Sequence, residues 1–79
     1  MEAADVKTGD AVTFVDAVGR EVRALVTTTF RSQGDAPGVN VVFVDPDEAK
    51  TDPYGRQIAR QTSVVHESAQ PAHGMFWRA

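Results

Sequence analysis

Alternating apolar and polar residues mark the first two elements of the chain. In residues 11–15, Val12 and Phe14 fall on one face of an extended strand. Residues 21–30 continue the alternation over a longer run, and their β-branched side chains favour the extended state. Gly19 lies between the two runs and can adopt a positive φ, so a tight reversal is expected there. The pattern predicts a long hairpin.

The second run has two distinct faces. Leu25 interrupts the polar outer face, which makes it a candidate for contact with a neighbouring group. The predicted inner face consists of Val22, Ala24, Val26 and Phe30.

Two further strands and one loop are predicted beyond the hairpin. The polar segment RSQGDAPG, residues 31–38, is rich in glycine and proline and is predicted to be a flexible loop. Residues 39–44 are apolar on both faces, which predicts a strand that is central in the sheet or covered by another group. Residues 58–65 predict the last main strand, and residues 66–79 predict an irregular C-terminal tail.

Short strands joined by turns, with no helical periodicity longer than one turn, predict an all-β domain over residues 1–79. The stretch VKTGDAVTFVDAVGREVRALV also resembles the first hairpin of SH3-like barrels of the KOW type. That hairpin has a Gly-Asp turn, a glycine-containing reversal and a small residue at the bend of its second strand, where this chain has Ala24. The resemblance implies a small SH3-like five-stranded barrel. Another antiparallel meander remains the alternative.

The segment DPDEAKTDPYGRQ, residues 45–57, begins with a helix-start signal. Asp45 can cap a helix with its side chain, Pro46 suits the first helical position, and Glu48 lies where a capping-box partner would lie. One short helical turn near residues 46–50 is therefore predicted.

The same segment ends in Asp-Pro-Tyr-Gly, residues 52–55, which matches a type I β-turn. A helical turn followed by a tight turn predicts a rigid protrusion that carries Tyr54 close to Arg56. An exposed aromatic side chain near an arginine is typical of interface anchors, so both are predicted to bind a partner. In the alternative, Tyr54 packs over the barrel and Arg56 neutralises a local acid.

Neither a metal site nor an enzyme is predicted. Position twelve counted from Asp45 is Arg56, where an EF-hand loop needs glutamate. His66 and His73 have no third ligand at a diagnostic spacing, and the sequence has no cysteine, nucleophile elbow or phosphate-binding glycine loop. We therefore expect no catalytic residue, no metal and no cofactor.

The C-terminal aromatic residues are too apolar to be left in water. Met75, Phe76 and Trp77 together carry several hundred Å² of apolar surface, about 150–250 Å² for each aromatic ring. This surface is covered either by the chain's own barrel or by a neighbouring molecule. In a marginal domain the tail can complete its own core on one side and form an interface on the other, so Met75, Phe76, Trp77 and Arg78 are also predicted to contact a partner.

The bulk properties favour docking on a protein. A chain of 79 residues has one marginal core, so association with a larger partner or a second copy is the expected additional source of stability. The net charge of −3 does not favour binding to a phosphate backbone. The acidic opening sequence lacks the apolar core of a signal peptide, and the longest apolar run is too short to cross a bilayer. No membrane partner is expected.

From Asp45 onward, the blocks VDPDEAKTDPYGRQI, TSVVHES and AHGMFWR resemble a family of small proteins encoded by tailed bacteriophages and prophages. The resemblance implies a non-enzymatic virion protein that decorates or stabilises the head, with the major capsid protein as a candidate partner. It implies a location in the virion or the host bacterial cytoplasm. The alternatives are a nucleic-acid-binding KOW-like barrel and a phage inhibitor of a host protein.

Overall fold

A computed structural model describes residues 2–71 and 74–79. This part of the chain contains no helix long and apolar enough to cross a membrane. Its short 3-10 helices are Ala3–Asp5 and Glu67–Ala69. Its strands are β1 (Ala11–Val15), β2 (Glu21–Phe30), β3 (Gly38–Val44), β4 (Thr51–Asp52), β5 (Gly55–Arg56), β6 (Ile58–Val64) and β7 (Phe76–Arg78).

Five of these strands form one curled antiparallel sheet in the order β6-β3-β2-β1-β7, and β4 pairs with β5 in a separate hairpin. The sheet is a half-barrel. One end is drawn together where the Trp77 backbone N–H donates to the Val65 carbonyl at 3.0 Å, beside a bridge between His66 and Trp77. The predicted all-β, five-stranded fold is confirmed.

The inner face of the sheet forms the core, as the alternation predicts. Val12 lies opposite Ala24, and Phe14 lies opposite Val22 and, on the other side, Trp77. Opposed residues share one face of a sheet, so these side chains point inward together. The buried cluster consists of Val6, Val12, Phe14, Ala24, Val26, Ala36, Val39, Val41, Val64 and Trp77.

A bulge just after Val26 changes which residues of β2 face inward. Beyond it, Thr29 lies opposite the fully buried Val39, and Phe30 lies opposite Gly38. One extra residue reverses the faces of a strand, so Phe30 lies on the outer face. The absence of a side chain at Gly38 makes room for its ring, because a Cβ there would lie 2.4 Å from the ring carbons. The expectation that Phe30 faces the core is wrong for this reason.

Residues 46–50 form a turn where the sequence predicts a helical turn. The Lys50 N–H donates to the Asp47 carbonyl at 3.0 Å. The Asp45 carboxylate accepts the Asp47 N–H at 2.9 Å, and the Asp47 carboxylate accepts the Ala49 N–H at 3.0 Å. Aspartate side chains satisfy the backbone locally in this way without requiring a helix, so the predicted helical turn is wrong.

Candidate interaction surface

The segment between β3 and β6 forms a hairpin whose base is fixed by hydrogen bonds. The Asp45 N–H donates to the Gln57 carbonyl at 2.9 Å, and the Gln57 N–H donates to the Lys50 carbonyl at 3.1 Å. The Arg56 guanidinium donates to the Asp45 carbonyl at 2.7 Å. Arg56 therefore holds the backbone of an acidic residue, and it lies on the exposed hairpin as predicted.

Tyr54 stands at the tip of this hairpin. Its side chain is 98% exposed, and its backbone N–H donates to the Asp52 carboxylate at 2.8 Å. Gly55 has a φ of +122°, which an L-residue would adopt only with strain. The turn lies where the sequence predicts it, and Tyr54 points into solvent without packing over the barrel.

The C-terminal tail folds back on its own sheet. Within the predicted irregular segment 66–79, β7 pairs with β1 and places Trp77 in the core with no exposed surface. The indole N–H donates to the Pro37 carbonyl at 3.0 Å. The rings of His66 and Trp77 form a T-shaped contact, with centroids 4.7 Å apart. The Trp77 side chain therefore has no solvent-exposed surface that a partner could contact, whereas the Tyr54 side chain does.

The other predicted contact residues of the tail are half-buried. Phe76 lies opposite Val15 on the outer face, and Arg78 forms an ion pair with Glu21. Met75 packs against the core. Their contact with a partner stays a prediction.

A cleft of about 310 Å³ is lined by Asp45 and Lys50 at the base of the hairpin and by Met75 of the tail. The structure therefore brings Met75 close to the base of the hairpin. The rings of Phe14 and Phe43 lie in the same cleft, with centroids 5.1 Å apart.

Ion pairs border this cleft. Arg20 contacts Asp16 at 2.8 Å, and Lys50 contacts Asp45 at 3.7 Å. Burial of Asp16 opposes its ionisation, but hydrogen bonds from the backbone and side chain of Arg20 and from the Val18 N–H outweigh it. The pKa of Asp16 is therefore lowered from its ordinary value of 3.8. These charges are satisfied within the chain.

The sequence prediction omitted an apolar surface on the outer face of the sheet. Leu25 lies opposite Val42, and Val44 lies opposite Ile58. Leu25 is 47% exposed, Val44 48% and Ile58 64%. We call these four residues the outer patch. Two features of the sequence pointed to the outer patch. Leu25 interrupts a polar face, and the third strand is apolar on both faces.

The His66 ring takes part in local hydrogen bonds. Among the described residues, no three side chains of a metal-binding type converge. The Nδ1 atom of His66 lies 2.8 Å from the Ser68 hydroxyl, and the Asp35 N–H donates to that hydroxyl at 2.7 Å. His66 thus helps to hold the loop before β3, which the sequence predicts to be flexible. His73 lies outside the described residues.

We compared the chain with protein-family models, curated proteins and solved structures, and none of them matches it. The similarity to the phage family and to SH3-like barrels therefore stays a prediction.

Proposed function

We propose that this chain is a non-enzymatic interaction domain that docks on a larger phage protein assembly and decorates or stabilises the head. The observation that carries the proposal is Tyr54, which is 98% exposed at the tip of a hydrogen-bonded hairpin. Tyrosine is enriched among the residues that dominate binding energy. A tip that is ordered before binding loses less conformational entropy on docking.

The distribution of apolar surface supports docking through the hairpin end of the molecule. Trp77 is used by the chain's own core, whereas Tyr54 at the tip and Val44 and Ile58 at the base of the hairpin remain exposed. Exposed apolar residues grouped in this way mark interaction sites in small domains. The phage assignment rests on the sequence blocks that resemble the phage family.

Nucleic-acid binding has less support. Two of the arginines that could form a basic patch are neutralised, since Arg20 pairs with Asp16 and Arg78 pairs with Glu21. The acidic residues of the hairpin would repel a phosphate backbone. Fluorescence anisotropy with DNA and RNA at low salt is expected to show no binding, and tight, salt-sensitive binding would favour this alternative.

The proposal is tested by mass spectrometry of purified virions of the source phage, which should contain this polypeptide. A pull-down with the tagged chain from infected cells should recover capsid protein. Recovery of one host protein without capsid would favour the host-inhibitor alternative. Absence of the polypeptide from virions, together with no recovery of capsid, would refute the head-protein proposal.

A further inference from the structure

We propose that two copies of the chain associate about a two-fold axis, with Tyr54 of each copy seated on the outer patch of the other. The inference rests on the proposed function, because it assigns a second copy of the chain as the partner that covers the same hairpin when no head is bound, so that the dimer and the head compete for Tyr54. Three observations carry it: the shape of the patch, its position relative to the hairpin, and the charges on both.

The outer patch is a shallow, open groove. Its volume is about 360 Å³, and its lining is mainly apolar, with Ala11, Arg23, Ala24 and Phe43 beside the four patch residues. A flat aromatic ring with one polar end suits such a site, because the ring covers the aliphatic surface and the hydroxyl can remain in water. Tyr54, the one tyrosine of the sequence, has such a ring and is exposed.

The patch lies where the hairpin begins and ends. Val44 is the last residue of β3 and Ile58 is the first of β6, so the hairpin leaves the sheet between two patch residues. Ile58 follows Tyr54 by four positions, which is about 13 Å of extended chain. Two hairpins that lie side by side in opposite directions therefore place each tip beside the base of the other. Such an isologous contact is closed at two copies.

The charges of the hairpin and of the patch are complementary. Arg23 lines the groove, and Arg60 lies opposite Val42 in the sheet. Over residues 2–71 and 74–79, neither arginine forms an ion pair with a carboxylate. The hairpin carries acidic residues that likewise form no ion pair within those ranges, namely Asp47, Glu48 and Asp52. In the two-fold arrangement, the acids of each copy approach the arginines of the other, which steers association and fixes its register.

Sedimentation equilibrium of the full chain tests this arrangement. We expect a monomer–dimer equilibrium with no larger species, and weaker association as the salt concentration rises. Tyr54→Ser and Ile58→Thr should each weaken the dimer about tenfold or more. Val18→Ser is the matched control, because Val18 is 77% exposed in the reversal between β1 and β2. It should leave the dimer unchanged.

A charge-reversal pair tests the register. Arg60→Glu and Glu48→Lys should each weaken self-association, because each places like charges together at both symmetric contacts. A mixture of the two variants should form heterodimers about as tightly as the unaltered chain, because attraction is then restored at both contacts. Circular dichroism spectra should show that every variant keeps its fold.

The outcomes separate this inference from the proposed function. A chain that is monomeric to about 1 mM, or a dimer that Tyr54→Ser leaves intact, overturns the two-fold arrangement. Assemblies larger than a dimer also overturn it. A monomer that binds purified phage heads would refute this inference and leave the proposed function standing. A dimer sensitive to Tyr54→Ser that binds no heads would support this inference and refute the head-protein role.

Discussion

Trp77 and Pro37 are joined by a hydrogen bond in which the indole N–H donates to the proline carbonyl at 3.0 Å across 40 positions of the sequence. The bond links the last strand to the loop that enters β3. Because the Trp77 side chain is fully buried, water does not readily take the place of the indole N–H as a donor to the Pro37 carbonyl. The C-terminal strand thus contributes Trp77 to the core, and the Trp77 side chain presents no exposed surface.

Trp77→Phe should therefore destabilise the fold substantially. The substitution leaves the Pro37 carbonyl without its donor and removes part of a large buried ring, which together should lower the free energy of unfolding by about 2–4 kcal/mol. Urea unfolding followed by circular dichroism measures the change. Phe76→Leu, at a half-buried neighbouring position on the outer face, should lower it by less than about 1.5 kcal/mol. Equal losses for the two variants would contradict the role assigned to Trp77.

Two glycines with nearly the same φ test the packing of the loop before β3. Gly34 has a φ of +95° and Gly9 a φ of +96°. A Cβ on Gly34 would lie 2.7 Å from the Ser68 hydroxyl and 2.9 Å from the Ala69 backbone nitrogen, whereas a Cβ on Gly9 meets nothing within 4 Å. Both alanine substitutions introduce backbone strain, and only Gly34→Ala adds a clash with backbone.

Gly34→Ala should lower the free energy of unfolding by about 1–2 kcal/mol more than Gly9→Ala does. Thermal and urea unfolding of the two variants, compared with the unaltered chain, measure this difference. A smaller effect at Gly34 than at Gly9 would show that the loop does not pack against the 3-10 helix Glu67–Ala69.

Asp16 should make stability depend on pH in the acidic range. Its pKa is lower in the folded chain than its ordinary value of 3.8, because hydrogen bonds from Arg20 and Val18 outweigh the effect of burial. The ionised carboxylate therefore stabilises the fold above that value, and this contribution is lost as the pH falls through the folded-state pKa.

Urea unfolding at a series of pH values checks this dependence. The stability difference between the unaltered chain and Asp16→Asn should be largest near neutral pH and should shrink below about pH 4. Arg20→Gln should reduce the pH dependence only in part, since the backbone N–H donors to Asp16 remain. A stability difference that stays constant from neutral pH down to about pH 2.5 would contradict the interpretation.

The regular elements could be predicted from the sequence where local signals act alone. The alternation around Val12 and Phe14 and the glycine in the reversal gave the first hairpin with its observed bounds. Phe30 could not be placed, because a bulge in β2 depends on pairing with β3 and leaves no local signal. The helix-start signal at Asp45 was misleading, because the same aspartates can satisfy turn N–H groups.

The candidate surface could be predicted only in part. The Asp-Pro-Tyr-Gly turn is a local signal, and a turn does lie there. The sequence left open whether Tyr54 packs over the barrel, and the structure places it at an exposed tip. Whether Trp77 is buried in its own chain depends on the register between β1 and β7, and that register pairs residues that are distant in the sequence. The outer patch likewise appears only when β2, β3 and β6 bring Leu25, Val42 and Ile58 onto one face.

Co-sedimentation with purified heads of the phage proposed as the source, with Tyr54→Ser measured beside the unaltered chain, tests the proposed docking role of the hairpin most directly. Tyr54 makes no contact with the core, so the variant should keep its free energy of unfolding within about 0.5 kcal/mol. We expect the unaltered chain to sediment with the heads at saturable stoichiometry, and the variant to bind about tenfold more weakly or worse. Equal binding by the two proteins, or no binding by either, would contradict the account.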